Sequence, residues 1–313
     1  MKENNTYPLI SIALCTYNGE EYLKQQMDSL LSQSYPNLEI IISDDASTDQ
    51  TVSILQSYSQ ANLFIFVNKK NLGFNQNFES CLKKCTGQYI CISDQDDEWH
   101  TEKIQQLYEK IKNHPMVFSD SAFIDEKGKL LQTTMSQSLN RTFSPINSPL
   151  ELVYCNIVSG HSMLFARKLL DKALPIPDSV FYDWWLAFVA TTTGEVQYLD
   201  AELVNHREHS GSAMLIHSQK NILDSKKHRR SKRHKELLAR IQLFSEVSTI
   251  SKKDKLVLKK LHNLLQERLE KRFSWRLFLF FTKYGKELFI KYRDRPLLNR
   301  LNFYIKEAKK INC

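Results

Sequence analysis

Short apolar runs alternate with segments of helical periodicity over the first 95 residues of this chain. The runs predict four strands, at residues 9–15, 38–43, 63–67 and 89–92. Between them, apolar residues recur every three or four positions, as helices require. Strands that alternate with helices typically form a parallel sheet with crossover helices. The pattern therefore predicts an α/β domain whose sheet is mainly parallel and flanked by helices.

The pattern is less regular after the fourth strand. We expect a helix from Thr101, a strand over Met116 to Ser119, and a helix from Asp183 through Thr191. Residues 125–150 are polar and have no clear period, which predicts a long loop. The α/β domain is expected to span residues 1–215, followed by an α-helical region over 216–313.

Four acidic residues follow the fourth predicted strand within five positions: Asp94, Asp96, Asp97 and Glu98. Ligands of α/β sheets bind beyond the carboxyl ends of the strands. Carboxylates clustered there repel one another and lose solvation unless a cation is present. A divalent metal carrying a diphosphate fits this position, because it takes oxygen ligands from protein, water and phosphate. The alternative is an acidic turn at the start of the next helix.

Phosphate-binding glycine loops are missing from the sequence. It contains neither G-x-G-x-x-G nor G-x-x-x-x-G-K-[ST]. A diphosphate would therefore be held by the acidic cluster and a metal.

Charge divides the chain into two segments. Residues 1–216 contain 16 Lys and Arg against 26 Asp and Glu, whereas residues 217–313 contain 27 against 9. The basic segment includes a dense positive run, Lys226 to Lys235, and an aromatic cluster, Trp275 to Phe281. Basic and aromatic residues together favour a helix lying on an anionic membrane surface. Nucleic-acid binding is the less favoured alternative, and a helical cap or oligomer contact that buries the aromatic residues is the third.

The six cysteines form no C-x-x-C pair, so we expect reduced thiols in a cytosolic protein. The N-terminus has no signal-peptide pattern. We expect the protein to lie on the inner face of the cell membrane without spanning it.

Six segments in order resemble family 2 glycosyltransferases, and the resemblance covers about residues 8–215. They are T-Y-N-G-E-E-Y-L (16–23), I-I-S-D-D-A-S-T-D (41–49), L-G-F-N-Q-N-F (72–78), S-D-Q-D-D-E-W (93–99), Y-D-W-W-L-A (182–187) and H-R-E-H-S-G (206–211). The D-Q-D-D-x-W and D-W-W forms are most similar to bacterial rhamnosyltransferases of cell-wall or capsular polysaccharide assembly.

The resemblance implies a GT-A fold and an inverting sugar transfer from a nucleotide-diphosphate donor. It implies that Asp45 contacts the nucleobase, and that Asp94 contacts both the nucleotide and the metal. Thr16 and Tyr17 line the nucleobase pocket. The resemblance also implies that Asp94 and Asp96 hold Mn²⁺ or Mg²⁺, and that Asp183 is the catalytic base.

Several of the remaining candidate residues have two interpretations. His209 is expected to complete the metal shell. Trp184 and Trp185 are expected to present a flat surface to the acceptor sugar, or to pack in the core. His161 either faces the acceptor or is a structural histidine, and Asp183 is alternatively a helix N-cap. His206 is expected at a strand end, where the family has Tyr, and Ser212 replaces a frequent Asn.

The resemblance favours dTDP-rhamnose as the donor, with a UDP-hexose or UDP-N-acetylhexosamine second. The acceptor is expected to be a hydroxyl of a growing, lipid-linked cell-surface polysaccharide. A non-catalytic sugar-nucleotide or nucleic-acid binding module is the less expected function.

Overall fold

A computed structural model describes residues 7–209, 226–270 and 272–309. The chain forms two compact units. The first comprises Met1–Ile146, Ile157–Ala190 and Gly194–Glu208, and the second comprises Asn147–Asn156, Thr191–Thr193 and His209–Cys313. The predicted domain boundary after residue 215 lies outside the described residues and stays a prediction.

The first unit is built on a nine-stranded sheet. Its strands are β1 (Ile10–Thr16), β2 (Leu38–Asp44), β3 (Leu63–Val67), β4 (Tyr89–Ser93), β5 (Glu98–Trp99), β6 (Met116–Ile124), β7 (Leu130–Thr134), β8 (Met163–Ala166) and β9 (Val196–Arg207). The order is β3-β2-β1-β4-β8-β6-β9-β5, and β7 pairs with β6. The predicted parallel sheet is confirmed for β1 to β4, while β8 runs antiparallel between β4 and β6.

Helices of the first unit follow the strands. They are α1 (Leu23–Leu31), α2 (Thr51–Gln56), α3 (Phe74–Leu82), α4 (Lys103–Ile111), α5 (Met135–Ser138), α6 (Leu170–Ala173) and α7 (Tyr182–Thr193), with 3-10 turns at Gly160–Ser162 and Arg167–Leu169. Every residue of β1 is buried, because the strand is central in the sheet and apolar side chains of α1 and α4 belong to the same core.

Part of the predicted loop over 125–150 is structured, so that prediction was wrong there. β7 and α5 lie within it, and Thr134 begins α5 with a capping box in which its hydroxyl accepts from the Gln137 N–H at 3.3 Å. Short elements of this kind produce no visible hydrophobic period, because they bury only one or two side chains.

The second unit is helical, as predicted. It contains α8 (Lys226–Glu246), α9 (Lys252–Glu267), α10 (Trp275–Leu288) and α11 (Leu297–Glu307), and 3-10 turns at Pro149–Leu152 and Ile290–Tyr292. The hydroxyls of Ser251 and Ser274 accept backbone N–H groups at the starts of α9 and α10, at 3.0 and 3.2 Å. Among the described helices, none combines the length and the apolar character needed to cross a bilayer.

The aromatic cluster of α10 divides between core and surface. Phe280 and Phe281 are 4% and 0% exposed, so the expectation that these phenylalanines meet a membrane was wrong. Their burial follows from helical spacing: Phe281 contacts Phe289 and Tyr304 of the same unit, and Phe280 contacts Phe281 and Tyr284. Trp275 and Leu279 are 70% and 62% exposed on the opposite face.

Candidate active site

Residues at the carboxyl ends of β1 and β4 lie next to each other, as the parallel sheet predicts. Tyr17 is 48% exposed, and its N–H donates to Gln95 Oε1 at 2.8 Å. Gln95 Nε2 donates in return to the Tyr17 carbonyl at 3.1 Å. Thr16 is buried and donates from its hydroxyl to Asp44 Oδ2 at 2.8 Å. The loop after β1 is therefore tied to the acidic loop after β4.

Asp45 holds the loop that precedes α3. Its Oδ1 accepts from Asn68 Nδ2 at 2.9 Å and from the Leu72 N–H at 2.8 Å, and its Oδ2 accepts from the Gly73 N–H at 2.9 Å. The carboxyl group is 3% exposed. Gly73 has φ +84°, a conformation that favours glycine. The sequence did not reveal this loop contact, and the predicted nucleobase contact of Asp45 stays a prediction.

Asp94 lies at the centre of the acidic loop and is half-buried. Its Oδ1 accepts from the Tyr182 hydroxyl at 3.5 Å, and its Oδ2 is 3.6 Å from His161 Nδ1. The neighbouring Asp96 is fixed through its backbone, because its carbonyl accepts from Arg207 Nε at 3.0 Å. The backbone of the acidic loop is thus tied at Asp96 to Arg207, the last residue of β9.

Asp97 forms a buried cluster with His161 and His206. The sequence pointed to both histidines but did not predict that they contact Asp97. Its Oδ1 accepts from His206 Nδ1 at 2.8 Å and from the Arg207 N–H at 3.2 Å. Its Oδ2 is 3.5 Å from His161 Nδ1 and has no hydrogen-bond partner. The two imidazole rings stack with centroids 4.7 Å apart. His161 is 3% exposed and its Nε2 lies 2.9 Å from Ser121 Oγ, as expected of a hydrogen-bonded structural histidine. Its acceptor role stays a prediction.

Electrostatics reinforce this cluster. Burial lowers the pKa of His206, but the Asp97 carboxylate outweighs burial and raises it to about 9. Burial likewise opposes ionisation of Asp97, and the two histidines hold its pKa well below the usual range. At neutral pH the cluster therefore contains a buried aspartate facing a charged histidine.

Two sets of ligand atoms near the acidic loop can hold a divalent metal. Asp97, His161 and His206 place one ligand atom each within 4.8 Å of one another. The unpartnered Oδ2 of Asp97 and the mixed nitrogen and oxygen donors suit a transition metal such as Mn²⁺. The other set is the predicted pair Asp94 and Asp96, whose oxygens suit Mn²⁺ or Mg²⁺.

His209, the third predicted metal ligand, belongs to the second unit, and its metal role stays a prediction. Ser212 lies outside the described residues.

Asp183 stands in the first turn of α7. Its Oδ1 accepts from the Trp184 N–H at 2.6 Å, and the Gly160 N–H also donates to it. Burial raises the pKa of Asp183 to about 7, and the negative charge of Asp94 adds to that shift. The N-cap of α7 is Phe181, so Asp183 is not the cap. A carboxyl group with this pKa can accept a proton near neutral pH.

Gly160 lets the two sides of the site approach each other. A Cβ there would lie 2.1 Å from the Tyr182 hydroxyl oxygen, which is the atom that contacts Asp94. The absence of a side chain therefore allows Tyr182 to reach the acidic loop.

The predicted tryptophan surface is corrected in part. Trp185 is 7% exposed and its Nε1 donates to the Ala173 carbonyl at 2.6 Å, so it is a core residue. Asp183 and Trp185 are two positions apart on α7, so their side chains lie on nearly opposite faces of the helix. When Asp183 faces the site, Trp185 therefore faces the core. Trp184 is half-buried, and its acceptor role stays a prediction.

Two buried cations beneath the acidic loop were also missed. Lys103 donates to the His161 carbonyl at 2.6 Å and lies 2.8 Å from the centroid of the Trp99 ring, and burial lowers its pKa to about 7. Arg207 forms an ion pair with Glu98 at 2.5 Å and donates to backbone carbonyls of 125 and 126. Trp99 ends β5 and Lys103 begins α4, so no helical spacing in the sequence pointed to this contact.

Comparisons with known proteins agree with this geometry. The family model described as Glycosyl transferase family 2 matches residues 11–174, just over half of the chain. The chain is 29% identical over 224 residues to Escherichia coli UDP-Glc:alpha-D-GlcNAc-diphosphoundecaprenol beta-1,3-glucosyltransferase WfaP, covering 69% of this chain and 86% of that protein.

Two solved structures share the fold. S. aureus TarS in complex with UDP-GlcNAc has a TM-score of 0.60 at 18% identity, covering 96% of this chain and 81% of that chain. The mannosyltransferase PcManGT from Pyrobaculum calidifontis, in complex with GDP-Man and Mn²⁺, has a TM-score of 0.55 at 17% identity, covering 97% and 86%. The expected GT-A fold and enzyme class are confirmed, and the chain belongs to glycosyltransferase family 2.

Proposed function

We propose that the protein is an inverting glycosyltransferase that moves a sugar from a nucleotide-diphosphate donor to a hydroxyl of a cell-surface polysaccharide. One observation carries this proposal: Asp183 stands in the first turn of α7 directly after Tyr182, whose hydroxyl donates to Asp94 of the acidic loop at 3.5 Å. Burial raises the pKa of this carboxyl group to about 7. A base near neutral pH beside a diphosphate site is what inverting transfer needs.

The residues divide the chemistry between them. Asp183 takes the proton of the acceptor hydroxyl as the hydroxyl attacks the anomeric carbon. The nucleotide lies over the ends of β1 and β4, where Tyr17 is exposed. Tyr182 donates to Asp94 and keeps that carboxylate oriented. A divalent cation, when bound, neutralises the charge that develops on the leaving diphosphate.

Asp94 and Asp96 would hold that cation, with His209 as the predicted third ligand. Asp96→Asn should abolish metal-dependent donor binding and leave the melting temperature unchanged. Titration of Mn²⁺ followed by electron paramagnetic resonance measures this directly. If Asp96→Asn binds Mn²⁺ normally while His161→Asn does not, the buried cluster around Asp97 is the metal site instead.

Two donors remain, each favoured by a different observation. The D-Q-D-D-x-W and D-W-W motifs favour dTDP-rhamnose. The similar protein WfaP uses UDP-Glc by name, and the TarS structure contains UDP-GlcNAc, which favours a UDP-hexose or UDP-N-acetylhexosamine. We give the UDP-sugar precedence because these proteins also cover most of the chain.

Donor hydrolysis tests the reaction and the donor together. The purified protein with Mn²⁺ should slowly release a nucleoside diphosphate from UDP-glucose, UDP-N-acetylglucosamine or dTDP-rhamnose, and Asp96→Asn should not. Selective release of dTDP would return the preference to rhamnose. Release of pyrophosphate, or no release from any donor, would contradict the proposed function.

The acceptor is proposed to be lipid-linked, since the WfaP name specifies a sugar on diphosphoundecaprenol. N-acetylglucosamine joined through a diphosphate to a short prenyl chain is therefore the first acceptor to assay. An acceptor of this kind would bring the enzyme to the inner membrane face. The outer face of α10 supports that location, because it exposes Trp275 and Leu279 beside Arg276, Lys283 and Lys286.

A further inference from the structure

Two phenylalanines form an exposed aromatic pair beside the candidate base. Phe74 and Phe181 are 48% and 45% exposed, and their ring centroids are 5.3 Å apart. Single exposed apolar residues are ordinary on protein surfaces. Two large rings in contact with each other and with solvent are a continuous apolar surface, which we call the Phe74–Phe181 platform.

The platform is held rigidly from beneath. Asn75 is 7% exposed, and its Nδ2 donates to the carbonyls of Pro177 at 3.1 Å and Val180 at 2.8 Å. Its Oδ1 accepts from the Tyr182 N–H at 3.0 Å. One buried side chain thus fixes the backbone on both sides of Phe181. The exposure of this ring is therefore set by the fold, since the segment that carries it is fastened to α3.

The position of the platform limits what it can bind. Phe181 is the N-cap of α7, two residues before Asp183. Phe74 is the first residue of α3, directly after Gly73, whose N–H is bonded to Asp45. One ring therefore adjoins the loop assigned to the nucleotide and the other adjoins the residue assigned as the base, and the two rings contact each other. Donor and acceptor sugars must meet in this region.

We propose that the Phe74–Phe181 platform is the acceptor subsite and binds the apolar face of the acceptor's sugar ring. This inference rests on the proposed function. A pyranose ring has one face of C–H groups and a rim of hydroxyls. Placing the C–H face on the phenylalanines buries apolar surface and leaves a hydroxyl at the rim free to reach Asp183. The donor sugar is already positioned by its diphosphate, whereas the acceptor sugar needs a surface of its own.

Kinetics of single alanine variants test the platform. Phe74→Ala and Phe181→Ala should each raise the KM for the prenyl-diphosphate-linked N-acetylglucosamine by about tenfold. The KM for the donor and the rate of donor hydrolysis without acceptor should stay within twofold. Phe181→Tyr keeps a flat ring and should restore most of the acceptor affinity. Phe64→Ala is the matched control, because Phe64 is also 45% exposed but lies on the edge strand β3.

A second acceptor separates the sugar from its lipid. The same N-acetylglucosamine diphosphate with a methyl group in place of the prenyl chain should show the same tenfold loss in both alanine variants. A loss confined to the prenyl acceptor would mean that the platform binds the lipid chain. Weaker donor binding would mean that it binds the nucleobase. Either result, or an unchanged acceptor KM, would overturn the inference.

Donor hydrolysis keeps the two proposals apart. Failure of the proposed function would appear as absent hydrolysis in the wild-type protein. Failure of the platform would appear as normal hydrolysis and normal acceptor kinetics in the two alanine variants.

Discussion

Charged residues are placed in opposite ways in the sheet unit and on helix α10 of the helical unit. In the sheet unit, Asp97, Lys103 and Arg207 are at most 2% exposed, and each contacts identified partners. On α10, by contrast, Arg276, Lys283 and Lys286 lie on the exposed face. The proposed active site depends on fixed distances between groups, and Asp97, Lys103 and Arg207 around it are buried in the sheet unit. The proposed attraction to an anionic membrane depends on exposed charge, which α10 provides.

This difference predicts how each region responds to substitution. Removing one partner from a buried ion pair leaves the other charge unpaired, at a cost of about 3–5 kcal/mol. An exposed pair such as Arg276 with Glu267, at 2.9 Å, contributes about 0–1 kcal/mol. Single changes should therefore cost much stability around Asp97, and should have small, additive effects on α10.

The largest expected effect is on turnover. Asp183→Asn should lower kcat for transfer by about 10²-fold or more, because an amide cannot take the proton of the acceptor hydroxyl. Donor affinity should stay within a few-fold, since the nucleotide contacts are elsewhere. Steady-state kinetics with both substrates measure the two quantities. Asp178→Asn, an exposed carboxylate before α7, serves as the control. Near-normal turnover of Asp183→Asn would mean that another residue is the base.

Asp97→Asn should mainly reduce stability. The amide cannot balance the charged His206, so we expect a loss of about 3 kcal/mol in the free energy of unfolding at pH 6. The pKa of His206 is raised to about 9, so its stabilising contribution is complete below the unfolded value near 6.5 and is lost as pH rises through about 9. The deficit should therefore shrink above pH 9. Urea unfolding at both pH values measures it.

The control for this prediction is Asp200→Asn, since Asp200 is exposed and bonds only to Tyr198 among the contacts described. We expect a change below about 0.5 kcal/mol there. Equal effects of the two substitutions would contradict the assignment of Asp97 as the buried anion of the site.

Sequence patterns identified the elements well because strands β1, β2 and β4 are buried on both faces and read as apolar runs. They also located the acidic loop and Asp183, since these residues follow directly from strand and helix ends. The contacts of Asp97 were not predictable in the same way. Its partners His161 and His206 are 64 and 109 positions away, and only the register of β6, β8 and β9 brings them together.

The sequence also failed to predict which side chains of a helix face the core and which face solvent. Trp184 and Trp185 are adjacent in sequence, yet only Trp185 is in the core. Phe280 and Leu279 show the same contrast on α10. A helical period shows that a face is buried, but two neighbouring aromatic residues are 100° apart, so composition alone could not decide which one meets solvent.

A smaller effect concerns pH. Asp183 has a pKa of about 7 in the folded protein, so kcat/KM should rise about tenfold per pH unit below pH 7 and level off above it. Lys103 also titrates near 7 and could produce a change of its own. The residual activity of Asp183→Asn distinguishes the two: it should lack the rising limb if Asp183 is the titrating group, and should retain it if Lys103 is.

Stability should respond to the same group with opposite sign. A raised pKa means that the folded state holds the proton of Asp183 more tightly than the unfolded chain, so this stabilisation is present below the unfolded value near 3.9 and is lost as pH rises through about 7. Asp183→Asn should therefore raise the melting temperature relative to wild type more at pH 8 than at pH 5. Differential scanning calorimetry measures this, and a larger gain at pH 5 would contradict the raised pKa.

The smallest effects are expected on α10, where membrane attachment would be a sum of weak terms. Trp275→Ser and Leu279→Ser should together weaken binding to anionic vesicles by about tenfold, because each removes exposed apolar surface at about 25 cal/mol per Å². Replacing Lys283 and Lys286 by Gln should cost about 1 kcal/mol each and reduce the salt dependence of binding. Vesicle co-sedimentation at two salt concentrations measures both effects.

Leu256→Ser is the matched control, since Leu256 is 68% exposed on α9. Phe280→Ser tests the corrected assignment, and it should lower the melting temperature without acting through the lipid. If the wild-type protein ignores anionic vesicles at low salt, the exposed face of α10 has another partner.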